Sequence, residues 1–379
     1  MIYDLVKHVL VQTNKITQTH ENLYNTKNND VVLDKTLRDL GKFYYLPNKG
    51  NMGDVLLAFS TYQYLDARKF DYEVFDMTKI NEYTEPFNFV YGGGGIWYTP
   101  YKKEYQELLE VFKNPLLKKC VILPSSFAEC PDVLELLDER FIVFCREENS
   151  YKYCKSLNSR ATFIMADDMA INADMGAFDS ELYNADNLHK FLANKNNMKN
   201  LKTVLFRRYE YAYNRLMNQV KTIGNKKIAY MLREDKEAVN TSIKSDIDLS
   251  AFGGGYCTDK SYDYVQSLMF VTVINMFDII VTDRLHIGIC AAKLGKKVIL
   301  LDNFYGKVSG VYNYSMKDFD NVQMTTIDKV ESLVQQLSGN NKNAERIDKS
   351  CLLPVSFLNF VKLYGSIDNP YGIEKRFWS

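Results

Sequence analysis

With 379 residues, 46% of them apolar, the chain can bury a large core, and its length favours two domains over one. Its 47 basic and 47 acidic residues balance, so no whole-chain field gathers nucleic acid or an anionic membrane, and neither is expected as a partner. The seven cysteines (Cys120, Cys130, Cys145, Cys154, Cys257, Cys290, Cys351) form no C-x-x-C pair and lie mostly in apolar runs, which argues for reduced core thiols of a cytoplasmic protein against a disulfide frame or zinc cage.

Residues 1–20 carry no long apolar run, and no uninterrupted apolar stretch reaches the roughly 18 residues that a membrane span needs. The expectation is a soluble, cytoplasmic chain, at most peripheral at the inner face of the membrane. From about Lys42 to Asp168, short apolar runs alternate with helical patterns, which predicts a parallel sheet flanked by helices. Strands are predicted at Phe43–Leu46, Tyr72–Phe75, Phe87–Tyr91, Cys120–Leu123, Phe141–Cys145 and Thr162–Met165, and helices at Val55–Leu65, Glu104–Phe112, Asp132–Leu137 and Ser150–Ser156. Asn184–Lys202, rich in Asn and Lys, and Gly224-Asn225 mark a boundary, with a helical stretch Tyr209–Val220 between them. A second alternation follows: strand Lys227–Met231, buried helix Tyr262–Asn275, strand Ile279–Thr282, helix Ile287–Leu294, strand Val298–Leu301, and a final apolar helix Leu352–Tyr364. The predicted class is α/β, with Rossmann-like domains over 1–200 and 201–345 facing a cleft and a helical segment, 346–379, packing back on the first.

The strand ends carry the candidate chemistry, because ligands of open parallel sheets sit beyond the carboxyl ends of the strands. Asn48 to Asp54 joins the first strand to the first helix. Its Gly50 and Gly53 permit close approach to a ligand, while Asp54 alternatively caps the helix from Val55. Gly92 to Gly95 presents backbone amides with Trp97 and Tyr98 beside them for sugar stacking, or else is a turn under a core Trp. Gly253 to Gly255 reads as a loop at the cleft mouth or an unstructured connection. Arg146 either meets an anion or pairs with a carboxylate as scaffold. Asp167-Asp168 has too few further ligands in sequence for a metal, and Asp283 with His286 fares no better, so no metal is expected. Arg233, Arg284 and Lys307 follow three strands of the second half, and His286 stands in the first turn of the helix after Arg284. Guanidinium groups and a helix N-terminus together suit carboxylate or phosphate.

Thr282-Asp283-Arg284-Leu285-His286, with Leu301 to Lys307 and Gly310, resembles the polysaccharide pyruvyl transferase family. Looser support comes from Gly50 to Asp54, Gly92 to Gly95, Leu123-Pro124-Ser125, Arg146 to Ser150, Asp168 to Ala170 and Leu232 to Asp235. The chain departs from the family pattern where Ile287 precedes Gly288 and where Ser125 follows Pro124. The resemblance implies a glycosyltransferase-B-like fold and transfer of the enolpyruvyl carbons of phosphoenolpyruvate, the donor substrate, to sugar hydroxyls of a surface polysaccharide. It implies no separate cofactor, and a saccharide acceptor, lipid-linked or free. It places Arg284, Leu285 and His286 on phosphoenolpyruvate. Expected substrate contacts are further Arg233, Lys307, Asn51, Gly53, Gly93, Gly94 and Arg146, with His286 as proton donor and Asp54 as base. The alternatives are a nucleotide-sugar glycosyltransferase, disfavoured because no Glu lies between Ala251 and Val330 to hold a ribose, and a non-catalytic saccharide-binding protein.

Overall fold

In the computed structural model, which describes residues 29–48, 50–175, 219, 222–223, 227–235, 237–238, 243–254, 260–303 and 305–339, the chain builds two parallel sheets. The predicted boundary around Asn184–Lys202, nearly all of Tyr209–Val220, and the helix Leu352–Tyr364 lie outside the described residues. So do Cys257 and Cys351. The first sheet has the order β2-β1-β3-β5-β6-β7, from β1 (Phe43–Leu46), β2 (Tyr72–Val74), β3 (Phe87–Tyr91), β5 (Leu117–Ala128), β6 (Phe141–Cys145) and β7 (Thr162–Met165). This doubly wound order reverses direction between β1 and β3, the point where such sheets open a ligand crevice. The second sheet runs β11-β10-β9-β8, from β8 (Ile228–Met231), β9 (Ile279–Thr282), β10 (Lys297–Leu300) and β11 (Val322–Met324), all parallel.

The glycine run departs from the expected loop. Gly94–Tyr98 is a strand, β4, and it pairs with the far half of β5 while β3 pairs with the near half. One long strand is thus flanked by a neighbour broken at Gly92-Gly93. The break needs glycine: Gly93 has φ +77°, and a Cβ there would sit 2.8 Å from the Pro124 carbonyl oxygen. β5 itself outlasts the predicted Cys120–Leu123 because the chain passes Pro124 through a register shift instead of ending there. Trp97, fully buried and stacked on Phe127 at 5.6 Å, is a core residue and no sugar platform.

A helix absent from the sequence reading, α1 (Asn29–Leu40), buries Leu33, Leu37 and Leu40 along one stripe. The next, α2 (Met52–Ala67), is buried on every side from Met52 to Tyr62. Its sequence is apolar all round because both its faces are covered: Leu56, Leu57 and Tyr62 pack on Tyr45, Val90 and Val121 of the first sheet, and the helix also lies against α6 (Lys260–Asn275) and α7 (Leu285–Lys293). One apolar cluster consequently runs from Leu123 through Leu56 and Leu57 to Phe270, Ile287 and Leu300. Ser267 adds a hydrogen bond to the Val55 carbonyl at 3.3 Å. Five cysteines, Cys120, Cys130, Cys145, Cys154 and Cys290, are buried and unbridged. Among the described residues no helix is long and apolar enough to cross a membrane.

Candidate functional site

A cavity of about 350 Å³ lies where the carboxyl ends of both sheets meet. From the first sheet come Asn48, Asn51 and Asp54 after β1, Tyr91 of β3, and Arg146 after β6; from the second come Arg233 after β8, Arg284, Leu285 and His286 after β9, and Lys307 after β10. Met77, Ile96, Tyr101, Glu104, Glu107 and Leu108 extend the wall on the first-sheet side.

The turn after β9 is fixed locally. Thr282 Oγ1 donates to the Met231 carbonyl and accepts from the Arg284 amide at 3.0 Å, while the Asp283 carboxylate accepts the Arg233 amide at 2.8 Å. Asp283 therefore ties the ends of β8 and β9 together, and burial raises its pKa. Arg284 occupies the N-cap of α7, which puts Leu285 and His286 in its first turn.

His286, 9% exposed, stands between two carboxylates of the first half of the chain. Its Nδ1 is 3.9 Å from Asp54 and its Nε2 is 3.6 Å from Asp168. Asp168 is fully buried and ion-paired to Arg146 at 2.7 Å. Burial alone would raise its pKa, but the charges of Arg146 and His286 outweigh that and hold it well below the usual carboxylate range. Arg146 also donates to Ser126 at 2.8 Å, so the arginine is scaffold and cavity wall at once.

Asp54 is not the N-cap of its helix. Asn51 is, its side chain accepting the Gly53 amide, and Asp54 closes a capping box by accepting the Asn51 amide at 2.9 Å. Its other oxygen accepts from Asn48 at 3.3 Å. Gly254 forms a bridge with Asn51, so the second glycine run, apart from Gly255, which is not described, clamps this loop.

Sequence reasoning missed the acids that face the cations. Arg284 is paired with Asp235 at 2.7 Å and with Asp248; Arg233 with Asp235 at 2.9 Å and Glu237 at 3.0 Å; Lys307 with Glu237 at 3.0 Å. Burial opposes ionisation of Asp235 and Glu237, yet the neighbouring cations lower both pKa values to about 2. The spacing of Arg233 to Asp235 and Glu237 was a usable local signal, whereas Asp248 and Tyr101 are brought in by the fold alone. Of the predicted contacts, Asn51, Arg146, Arg233, Arg284, Leu285, His286, Lys307 and Asp54 line the cavity, and Gly53, Gly93 and Gly94 do not. Gly53 instead packs on the imidazole: a Cβ there would lie 2.9 Å from His286 Cβ and Nδ1.

A solved structure of an uncharacterised protein from Klebsiella pneumoniae subsp. pneumoniae is similar to the chain, with a TM-score of 0.58 and 24% identity over 80% of this chain and 99% of that one, a likeness in fold. No curated protein matches. The family model described as polysaccharide pyruvyl transferase matches residues 51–303, a span that starts at the N-cap of α2 and ends beyond β10, enclosing the Asp54, Asp168, Arg284 and His286 constellation. The chain belongs to the polysaccharide pyruvyl transferase family.

Proposed function

We propose that the chain transfers the pyruvyl group of phosphoenolpyruvate to hydroxyls of a saccharide in surface polysaccharide biosynthesis, forming a ketal. The observation that carries this reading is His286, set between Asp54 and Asp168 on a wall that also bears Arg146, Arg233, Arg284 and Lys307. Ketal formation needs a proton delivered to the methylene carbon, which becomes the methyl group, while a sugar hydroxyl attacks the adjacent carbon. The carbon–oxygen bond to phosphate then breaks, and a second hydroxyl closes the ring as the protons of the two hydroxyls are released. His286 serves as the proton donor, since imidazole gives and takes a proton near neutrality. Asp54 serves as the base toward the hydroxyl, and the cations balance the negative charge of donor and departing phosphate.

In the same reading residues 1–200 form the acceptor side and 201–345 the donor side of a glycosyltransferase-B-like arrangement, and the enzyme acts in the cytoplasm on a lipid-linked or free glycan. Incubation with phosphoenolpyruvate and candidate glycans, followed by phosphate release and mass spectrometry of the glycan, tests it. The expected result is pyruvylated glycan and free phosphate in equal amounts. His286→Ala should abolish most turnover while leaving donor affinity nearly intact; full turnover in that variant would remove the imidazole from the chemistry.

A further inference from the structure

The carboxylate of Glu237, 3% exposed, lies in a seat of four converging donors. One oxygen accepts from Lys307 Nζ and Arg233 Nη2, each at 3.0 Å, and from Asn303 Nδ2 at 3.1 Å; the other accepts from the Tyr101 hydroxyl. Two donors are cations and two are neutral, Tyr101 comes from the first-sheet side, and the other three come from the second. Such a set selects a carboxylate or phosphate oxygen.

The wall's other cations are also matched, Arg284 by Asp235 and Asp248 and Arg146 by Asp168. An incoming anion can gain these cations only where an internal carboxylate yields, because an unmatched extra negative charge in a buried site is costly. Asp168 and Asp248 are anchored by backbone amides, from Ala170 at 2.8 Å and Glu234 at 3.0 Å, and Asp235 by that of Glu237 at 3.0 Å. Glu237 is held by side chains, so its carboxylate can leave without unmaking the backbone around it.

We propose that Tyr101, Arg233, Asn303 and Lys307 form an anion subsite of the cavity, and that Glu237 fills it as an internal stand-in which a carboxylate or phosphate group of the ligand displaces. Its assignment to the donor rests on the phosphoenolpyruvate reading above; the seat itself does not.

Calorimetric titration of the full chain and of Glu237→Gln with inorganic phosphate, with pyruvate and with phosphoenolpyruvate tests this, with Glu237→Ala as a second variant. The amide removes the charge to be displaced, so phosphate or pyruvate should bind at least about ten-fold tighter, the scale of one lost charge-assisted hydrogen-bond competitor. The anion that gains identifies which end of the donor the seat takes. Unchanged or weaker binding of both anions in both variants would overturn the seat even if the unaltered chain uses phosphoenolpyruvate. Tighter phosphate or pyruvate binding with no phosphoenolpyruvate binding in any protein would keep the seat and overturn the donor reading. A destabilised variant is read by its melting temperature: restoration by phosphate or pyruvate supports displacement, and indifference to both refutes it.

Discussion

In the proposed chemistry His286 can deliver its proton only if its ring stays between the carboxylates of Asp54 and Asp168, and the residue that packs on it is a glycine. A methyl group on Gly53 would enter the space of the imidazole Cβ and Nδ1, so Gly53→Ala should lower kcat by about ten-fold or more, a loss on the scale expected when a reacting group is displaced by a fraction of an ångström, and change the donor KM much less. Steady-state kinetics separates the two, and an unaltered kcat would show that the ring has room to spare. Arg146 has a different task, matching the charge of Asp168. Arg146→Met should therefore cost about 3–5 kcal/mol in denaturant unfolding, because it strands a buried carboxylate, and adding Asp168→Asn should recover part of that loss. These roles were half legible. The strand Ile279–Thr282 and the polar turn after it announce Arg284 and His286 within a dozen residues, but the partners of His286 arrive from positions 54 and 168, and no local spacing links them.

At the scale of elements, α2 begins on a capping box, and Asn51→Ala removes the acceptor of the Gly53 amide. A loss of about 1 kcal/mol is expected by thermal or urea unfolding, and a change of nothing at all would mean that the Gly254 bridge alone holds the loop. The break between β3 and β4 is less forgiving. Gly93→Ala combines a left-handed φ with a contact on backbone oxygen, so about 2 kcal/mol or more of destabilisation is expected from the same measurement. Strands such as Phe87–Tyr91, Phe141–Cys145 and Ile279–Thr282 were readable because apolar runs buried on both faces of a parallel sheet need no partner to be recognised. Gly94–Tyr98 was not, because a glycine run looks the same in a loop and in a strand whose neighbour presses against its backbone. β11, three residues long at a sheet edge, carries too little pattern to stand out.

Across the whole molecule the two sheets share one apolar cluster through α2, α6 and α7, so they should unfold together. Leu57→Ala is expected to cost about 2–5 kcal/mol and to shift one cooperative transition, seen alike by near- and far-ultraviolet circular dichroism; two separated transitions would show sheets that unfold independently. The acids of the cavity also set the response to acid. Folded pKa values of about 2 for Asp235 and Glu237 lie below their unfolded values, so their contribution is complete above about pH 4.5 and is lost as pH falls toward 2, with Asp235, more than a third exposed, giving the smaller share. Urea midpoints measured across that window should fall, and fall less in Glu237→Gln. The amino-acid order by itself determined the alternation of strands and helices, the cationic residues at the strand ends and the family resemblance, since each depends on residues close along the chain. Which carboxylate meets which cation, that Trp97 is core, that Gly53 seats His286, and that a helix apolar on every side is so because one sheet and two helices enclose it were decided only by the tertiary structure, because they depend on contacts between segments whose separation no periodicity encodes.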